Sequence, residues 1–514
     1  MLLLKYTKLI ILTSTVYMKG LDFMKAIIPV LDEKINVPLY LQIYNFIKEA
    51  ILKNEIVPGE KLPSLRNLSD TLNVSLTTVD QAYAQLDVEG YIYSKPQSGY
   101  FVSDIYYPNR GKDTNTCMAS GTGGADGVSG AGATNGSDSL EHNSFVPVTG
   151  APEILEPDMA YDLECFDFNK WKKCINKVFT QYPHLLLFES DPQGEEILRH
   201  EIAKYVYTSR GVKCTADQIV IAAGTQQITS HLANILTRMN ISNVGVEEPG
   251  YVPVNNIFRD RGFTISHIPV LKDGIDVDKL PTNISSAVYV NPSNQFPTGA
   301  VMPVGKRYKL LDWAQKNESY IIEDDYDSEL RYFGRPIPSL QGLDNYGRVI
   351  YLGSFSSTLF PSVKISYMVL PEKMADLFRS FSQDYSQTCS KTEQLALAFF
   401  MEDGKYQTNI KKVRRLYSHK LQLVVAAFEK YGKNMVTPVN TSSGINTILS
   451  VKSNKSGNDL ASEAKSLGLL IFPVKLYTEE ADDLSMIFYY NRVPTEEIDG
   501  LIRELVELWE KGEC

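Results

Sequence analysis

The stretch from Gly111 to Ser144 constrains this chain more than any other. It reads CMASGTGGADGVSGAGATNGSDS in its middle and holds almost no large apolar side chain. Such a composition cannot bury enough surface to offset the entropy of ordering its backbone. The spacing therefore predicts a flexible linker over 105–150, and about 35 residues of this type span roughly 30–35 Å. The 514 residues thus divide into a small N-terminal unit, 34–104, and a large C-terminal unit, 151–514.

The chain as a whole has ordinary globular composition, with 43% hydrophobic and 22% charged residues, which excludes a disordered chain or a multi-span membrane protein. Residues 1–33 form an N-terminal extension. Its first 17 residues are apolar, but Lys5 and Lys8 interrupt a run too short to span a bilayer. No small-residue cleavage site follows. The extension reads as an over-long start, with the functional chain beginning near Met24. Six cysteines, none in a C-x2-C pair, and six scattered histidines point to no metal site and to a reducing cytoplasm.

In the small unit, Leu39, Ile43, Phe46, Ile47 and Ala50 share one helical face. Leu65, Leu68 and Leu72 give a second helix. Asn73-Val74 turns the chain, and Ser75 stands as N-cap of a third helix that Gly90 stops. That helix turns Val79, Tyr83 and Leu86 inward and Thr77, Thr78 and Gln81 outward. Two short helices across a tight turn match helix-turn-helix geometry. YIYSKPQSGYFV then reads as a two-stranded wing, so the unit is an α+β winged helix-turn-helix. A plain three-helix bundle is the alternative. Charge leans toward the bundle: 6 Lys/Arg against 8 Asp/Glu over 34–104 leaves a net −2, where DNA binders usually carry positive charge.

The segment LPSLRNLSDTLNVSLTTVDQAYAQLDVEGYIYSKPQSGYFV resembles the GntR-type winged helix across nearly all of residues 36–103. That resemblance decides for double-stranded DNA as partner. It implies that Arg66, Ser75, Thr77, Thr78 and Tyr83 face the duplex, with Gln97, Ser98 and Gly99 in the wing. Leu76 stands where the family often has Arg, which implies one phosphate contact fewer.

The large unit alternates apolar β-rich runs (219–224, 244–249, 286–292, 320–325, 348–355) with amphipathic stretches. Strands alternating with helices give an α/β architecture with a mainly parallel sheet, and such sheets bind ligands at the carboxyl ends of their strands. The candidate motifs follow those strands. Gly224-Thr225-Gln226 opens a helix, a setting suited to phosphate. Asp324 ends a strand where a carboxylate can hold a protonated ring nitrogen, and Tyr326 lies two residues on. Ser354 and Ser356 offer hydroxyls. Taken alone, the glycine turn is more commonly a plain strand-helix turn, the acidic run favours a solvated loop, and any Ser-rich loop would look like Ser354-Phe355-Ser356.

In order and spacing, DPQGEEILR, AGTQQ, VEEPGY, VNPSNQFPTG, IIEDDYDSELRY and YLGSFSSTLFPSVKISYMVLP resemble MocR-type regulators. These join a GntR winged helix to a fold-type I, pyridoxal 5′-phosphate (PLP)-binding aminotransferase-like domain, and regulate transcription. The resemblance implies that Gly224, Thr225 and Gln226 cradle the phosphate and Tyr251 stacks on the ring. It places Asn294 near the ring hydroxyl, a loose match because Gln295-Phe296 intervene. Asp324 pairs with the ring nitrogen, Tyr326 with the ring hydroxyl, and Ser354, Ser356 and Lys364 with the phosphate. Arg492 is a candidate for a substrate carboxylate, or equally an ordinary arginine at a helix start.

One position breaks the chemistry. The family motif is S-x-S-K, whose lysine forms the Schiff base with PLP, and this chain has Ser357 there. A hydroxyl can neither form that bond nor shuttle a proton as an amine does. Lys364 replaces the family's phosphate arginine, keeping charge but losing bidentate geometry. Three functions follow: a regulator sensing PLP, pyridoxamine phosphate or an amino-compound adduct without covalent attachment; an aminotransferase with an accessory DNA-binding domain, which Ser357 opposes; and a regulator whose large domain is only a dimerisation scaffold, which the retained pocket opposes. The expected assembly is a homodimer.

Overall fold

The computed structural model describes residue 31 and residues 37–106, 165–332, 337–432, 435–441, 443–478 and 484–511. Almost all of the N-terminal extension and of the linker lies outside the described residues.

The small unit opens with α1 (Leu39–Leu52), α2 (Leu65–Leu72) and α3 (Leu76–Val88). Ser64 caps α2 by accepting from the Asn67 amide at 3.2 Å, and Ser75 caps α3 by accepting from the Thr78 amide at 3.1 Å. Asn73 turns the chain between them in the left-handed conformation, φ 53°, which Asn tolerates better than most residues. Val79, Ala82, Tyr83 and Leu86 are buried against Ile43, Ile47 and Leu68. Strands β1 (Ile92–Lys95) and β2 (Gly99–Val102) pair antiparallel as the wing.

In the large unit, an eight-stranded sheet takes the order β3-β10-β9-β8-β7-β4-β5-β6. Its strands are β3 (Ile219–Ala223), β4 (Asn243–Glu248), β5 (Thr264–Leu271), β6 (Gly274–Ile275), β7 (Ala287–Val290), β8 (Tyr320–Asp324), β9 (Val349–Ser354) and β10 (Ile365–Val369). From β5 to β9 the pairings are parallel; β10 runs antiparallel to both neighbours, and β6 to β5. Strands β3, β7 and β10 bury nearly every side chain, as a sheet covered on both faces requires.

Helices α4 (Phe168–Gln181), α5 (Glu196–Arg210), α6 (Gly224–Arg238), α7 (Val252–Asp260), α8 (Val304–Lys316), α9 (Leu340–Leu343), α10 (Glu372–Ser382) and α11 (Lys391–Glu402) surround the sheet. The long α12 (Lys405–Ala427) leads to a second antiparallel sheet of order β11-β12-β14-β13. Its strands are β11 (Val436–Val439), β12 (Thr447–Val451), β13 (Ile471–Pro473) and β14 (Ser485–Phe488), and α13 (Gly457–Ser466) and α14 (Ile498–Glu510) pack with it in a separate apolar cluster.

The winged helix docks on the large unit at the start of α8. One apolar cluster runs from Ile43, Ile47 and Tyr91 into Val304, Tyr308 and Leu311. The Val304 amide donates to the Glu89 carbonyl at 2.9 Å, and the Tyr106 hydroxyl donates to Asp312 at 2.8 Å. Gly90, at φ +78°, is required at this joint, because a Cβ there would lie 2.8 Å from the Pro303 Cβ. Glu89 itself is buried, accepting from the Tyr44 hydroxyl at 2.6 Å and from the Gln85 amide.

Candidate cofactor pocket and DNA-facing surface

The sheet register brings the scattered motifs to one edge. Ala223 pairs with Ile365, so Gly224 and Lys364 face each other just beyond the strands. Gly224 begins α6 at φ +82°, and a Cβ there would meet only the Lys364 side chain, at 3.8 Å. The first amides of α6 and an exposed lysine thus stand side by side at the sheet edge, groups of the kind that attract anions. Lys364 holds the left-handed conformation, φ 46°. Next in the sheet, Ser354 ends β9; its Oγ accepts from the Ser366 hydroxyl at 3.0 Å and the Ser356 amide at 3.3 Å. Thr225 is half-buried and Gln226 exposed.

The three acids at the end of β8 have three separate partners. Glu323 accepts from the Leu340 and Gln341 amides at 2.7 and 2.9 Å and so starts α9; burial pushes its carboxyl up. Asp324 accepts from the Tyr289 hydroxyl, and burial pushes it up to about 6, partly offset by that bond. Burial also opposes the charge of Asp325, but the Arg210 guanidinium, bonded at 2.6 and 3.0 Å, holds it below the usual carboxylate range with help from Tyr351 at 2.7 Å. Arg210 further donates to Ser293 at 2.6 Å and to the Ile337 carbonyl. Asp325 is thus held by a cation, Glu323 by two backbone amides and Asp324 by a tyrosine hydroxyl.

Asn294 is more deeply engaged than its sequence position suggests. Its amide donates to Asp327 at 2.6 Å, and its carbonyl oxygen accepts from Ser443 at 3.2 Å. Asp327 is also the partner of the Tyr326 hydroxyl, and burial raises the pKa of both groups well above their ordinary values. A buried carboxyl therefore stands between the two side chains assigned to a ring hydroxyl. Gln295 knots the same loop, donating to Glu247 at 3.3 Å and to the Pro249 carbonyl at 2.8 Å. Tyr251, half-buried, meets Phe296 edge-on at 6.2 Å.

Ser357 is buried, and its hydroxyl donates to the Tyr326 backbone carbonyl at 2.5 Å. Arg492 lies half-buried in a single turn, Tyr490–Arg492, after β14. Lys420 of α12 donates to the carbonyls on either side of it, Asn491 at 3.3 Å and Val493 at 2.6 Å. Tyr490 donates to the Gly444 carbonyl at 2.5 Å, tying this turn to the loop that holds Asn294.

On the winged helix, Arg66, Ser75, Thr77, Gln97, Ser98 and Gly99 are exposed and Thr78 is half-buried. Ser75 and Thr78 pair their hydroxyls at 2.7 Å. Tyr83 corrects the expectation that it faces DNA. It is fully buried, with its hydroxyl donating to the Pro63 carbonyl at 3.0 Å and its ring edge-on to Tyr100 at 5.1 Å. It lies four residues, about one turn, past the buried Val79, on the face that packs into the bundle; the helical period was the better guide. Sequence reasoning did not single out Arg210, Tyr289, Asp327 or Lys420. Of these only Asp327 had a local signal, its place in the acidic EDDYD run.

Fold and site together define a transcription regulator of helix-turn-helix type carrying an aminotransferase-like domain. Residues 39–102 match the bacterial regulatory proteins of the gntR family, and residues 161–460 match aminotransferase class I and II. The HTH-type transcriptional regulator YdeL of Bacillus subtilis is 36% identical, over 94% of this chain and 99% of its own length. The probable rhizopine catabolism regulatory protein MocR of Rhizobium meliloti is 32% identical, over 79% of this chain and 80% of its own. Among solved structures, the kynurenine aminotransferase of Pyrococcus horikoshii aligns with a TM-score of 0.59 at 22% identity, over 68% of this chain and 88% of its own, a likeness of fold. The chain belongs to the MocR-type transcriptional regulators. Among the described residues, no helix is long and apolar enough to cross a membrane.

Proposed function

We propose that the large unit of this regulator holds pyridoxal phosphate, pyridoxamine phosphate or an amino-compound adduct without covalent attachment, and that occupancy changes how the winged helix engages DNA. The observation that carries this reading is Ser357. It occupies the family's lysine position, and its hydroxyl is committed to the Tyr326 carbonyl.

The surrounding residues fit the cofactor at every part but its aldehyde. Gly224, Thr225, Gln226, Ser354, Ser356 and Lys364 bind the phosphate. Tyr251 covers the ring face, Asp324 bonds the ring nitrogen, and Tyr326 and Asn294 orient the ring hydroxyl. Arg492 takes a ligand carboxylate. The cofactor, when bound, supplies an electrophilic carbon for amines; this chain's residues bind and orient it, and Ser357 offers no amine to hold or move a proton there. The function is therefore sensing rather than transamination.

A homodimer accompanies this reading. Phe179, Leu187 and Phe188, 54%, 84% and 71% exposed, leave an apolar surface of the kind an interface covers. Two winged helices also double the half-sites read by a domain of low charge.

Borohydride treatment of the protein with PLP, followed by mass spectrometry, tests the non-covalent reading. Saturable pyridoxamine phosphate binding with no reduced adduct is the expected result. A stoichiometric adduct on Lys364 would overturn it. Light scattering in solution tests the dimer.

A further inference from the structure

Helix α3 of the winged unit, Leu76–Val88, reads LTTVDQAYAQLDV and carries no lysine or arginine; its charged side chains are Asp80 and Asp87. Val79, Ala82, Tyr83, Gln85 and Leu86 are buried. Over its first turns the exposed side chains are Leu76, Thr77, Asp80 and Gln81. Thr78 is set apart from them, because its hydroxyl pairs with Ser75 at 2.7 Å within the cap. Exposed cations of the unit lie on other elements, Arg66 on α2 and Lys95 in the wing among them.

The second helix of a helix-turn-helix enters the major groove with its N-terminal residues against base edges. Each base shows a different set of groups there. Guanine offers two acceptors, and its usual partner is an arginine or lysine; α3 has neither. Adenine offers an acceptor beside a donor, which a glutamine amide such as that of Gln81 matches with two hydrogen bonds. Thymine alone presents a methyl group.

Leu76 has one chemistry to offer. It opens the helix and is 45% exposed, whereas Leu72 and Val74 just before it pack against the apolar core of the unit. A base donor or acceptor facing this side chain would lose its water and gain no hydrogen bond. A thymine methyl facing it buries apolar surface on both sides. A phosphate is the wrong partner as well, since Asp80 is the i,i+4 neighbour of Leu76 and its exposed carboxylate repels phosphate.

We propose that Leu76 is a base-reading residue that selects thymine through its C5 methyl, so that each half-site carries a T·A pair where α3 enters the groove and disfavours guanine there. The inference rests on α3 being the reading helix and is independent of the cofactor pocket. It makes Leu76 a source of specificity without salt dependence, since the contact involves no phosphate.

The test uses the full chain and a duplex enriched by it from a random-sequence pool. Each thymine of that duplex is replaced in turn by 2′-deoxyuridine, which pairs identically and lacks only the methyl, and binding is followed by fluorescence anisotropy. At one position of each half-site the parent loses about fourfold in affinity, the worth of one buried methyl-sized group. Leu76→Ala, a change that favours the helix, does not distinguish thymine from uracil at that position and keeps the parent's salt slope. Leu76→Arg enriches guanine there. Each comparison of thymine with uracil is made within one protein, so a smaller folded fraction cannot imitate the result. The proposal is overturned if no thymine methyl matters to the parent, or if Leu76→Ala keeps the same uracil penalty, which would assign the methyl to another residue. Failure of α3 as the reading helix looks different: Gln81→Ala and Leu76→Ala would then both enrich the parent's site unchanged, whereas failure of Leu76 alone leaves Gln81→Ala with an altered site.

Discussion

The Ser357 hydroxyl donates to the backbone carbonyl of Tyr326 at 2.5 Å. The side chain at the family's lysine position is thus turned to the loop that presents Asp324 and Tyr326, and it braces that loop. If the rest of the pocket is intact, Ser357→Lys restores covalent attachment. The variant with PLP gains a visible absorption band and a borohydride-stable mass increment at position 357, and the parent shows neither. A variant that binds PLP but stays colourless would mean that the loop cannot admit the longer side chain.

Asp324 gives the pocket a pH dependence. Burial raises its carboxyl to about 6, so between about 4 and 6 the folded state binds more protons than the unfolded chain, and stability falls as pH rises through that window. A ring nitrogen needs the ionised form. Pyridoxamine phosphate binding therefore tightens as pH rises from 5 to 7 and then levels, by about tenfold per pH unit at most. Titration calorimetry with the parent and Asp324→Asn checks this; the variant binds weakly and without that rise.

The Arg210–Asp325 pair is buried on both sides. Asp325→Asn leaves the guanidinium uncompensated and costs about 3–5 kcal/mol, read as a lower melting temperature. A change of less than about 1 kcal/mol would show that Ser293 and the Ile337 carbonyl suffice for Arg210.

Lys420 donates to the carbonyls on either side of Arg492, so on the proposed reading it is a positioning residue for Arg492 and does not touch the ligand. Lys420→Met keeps an unbranched side chain one atom shorter but releases the Asn491 and Val493 carbonyls. Affinity for an amino-acid adduct of the cofactor then falls several-fold, and affinity for pyridoxamine phosphate, which has no carboxylate, holds. Equal loss for both ligands would mark Lys420 as structural only.

At the DNA surface, Thr77→Ala removes an exposed hydroxyl with no packing role and weakens site-specific binding by about 1–3 kcal/mol in a gel shift at fixed salt. Ser75→Ala acts differently. It removes the cap of α3 and lowers stability by about 1 kcal/mol.

The places of the candidate residues were legible because they lie at or just past strand ends. Gly224, Tyr251, Asp324, Ser354 and Ser357 each stand at a fixed place relative to a short apolar run, and local periodicity locates such runs. The same held for the Ser75 cap, which depends on an amide three residues away. Where the two kinds of reading disagreed, at Tyr83, the helical period was right, because burial follows from the face a residue occupies.

By itself, then, the sequence determined two units, a winged helix, a mainly parallel sheet and the loss of the lysine, since each rests on spacings of a few residues. The tertiary structure alone decided how the Glu323-Asp324-Asp325 run is partnered, because Asp325 is held by Arg210, more than a hundred residues away, and Asp324 by Tyr289. It alone placed Asp327 between Asn294 and Tyr326, put Lys420 behind Arg492, and seated Gly90 against Pro303. Such contacts depend on where distant segments cross in space, and no local pattern carries that distance.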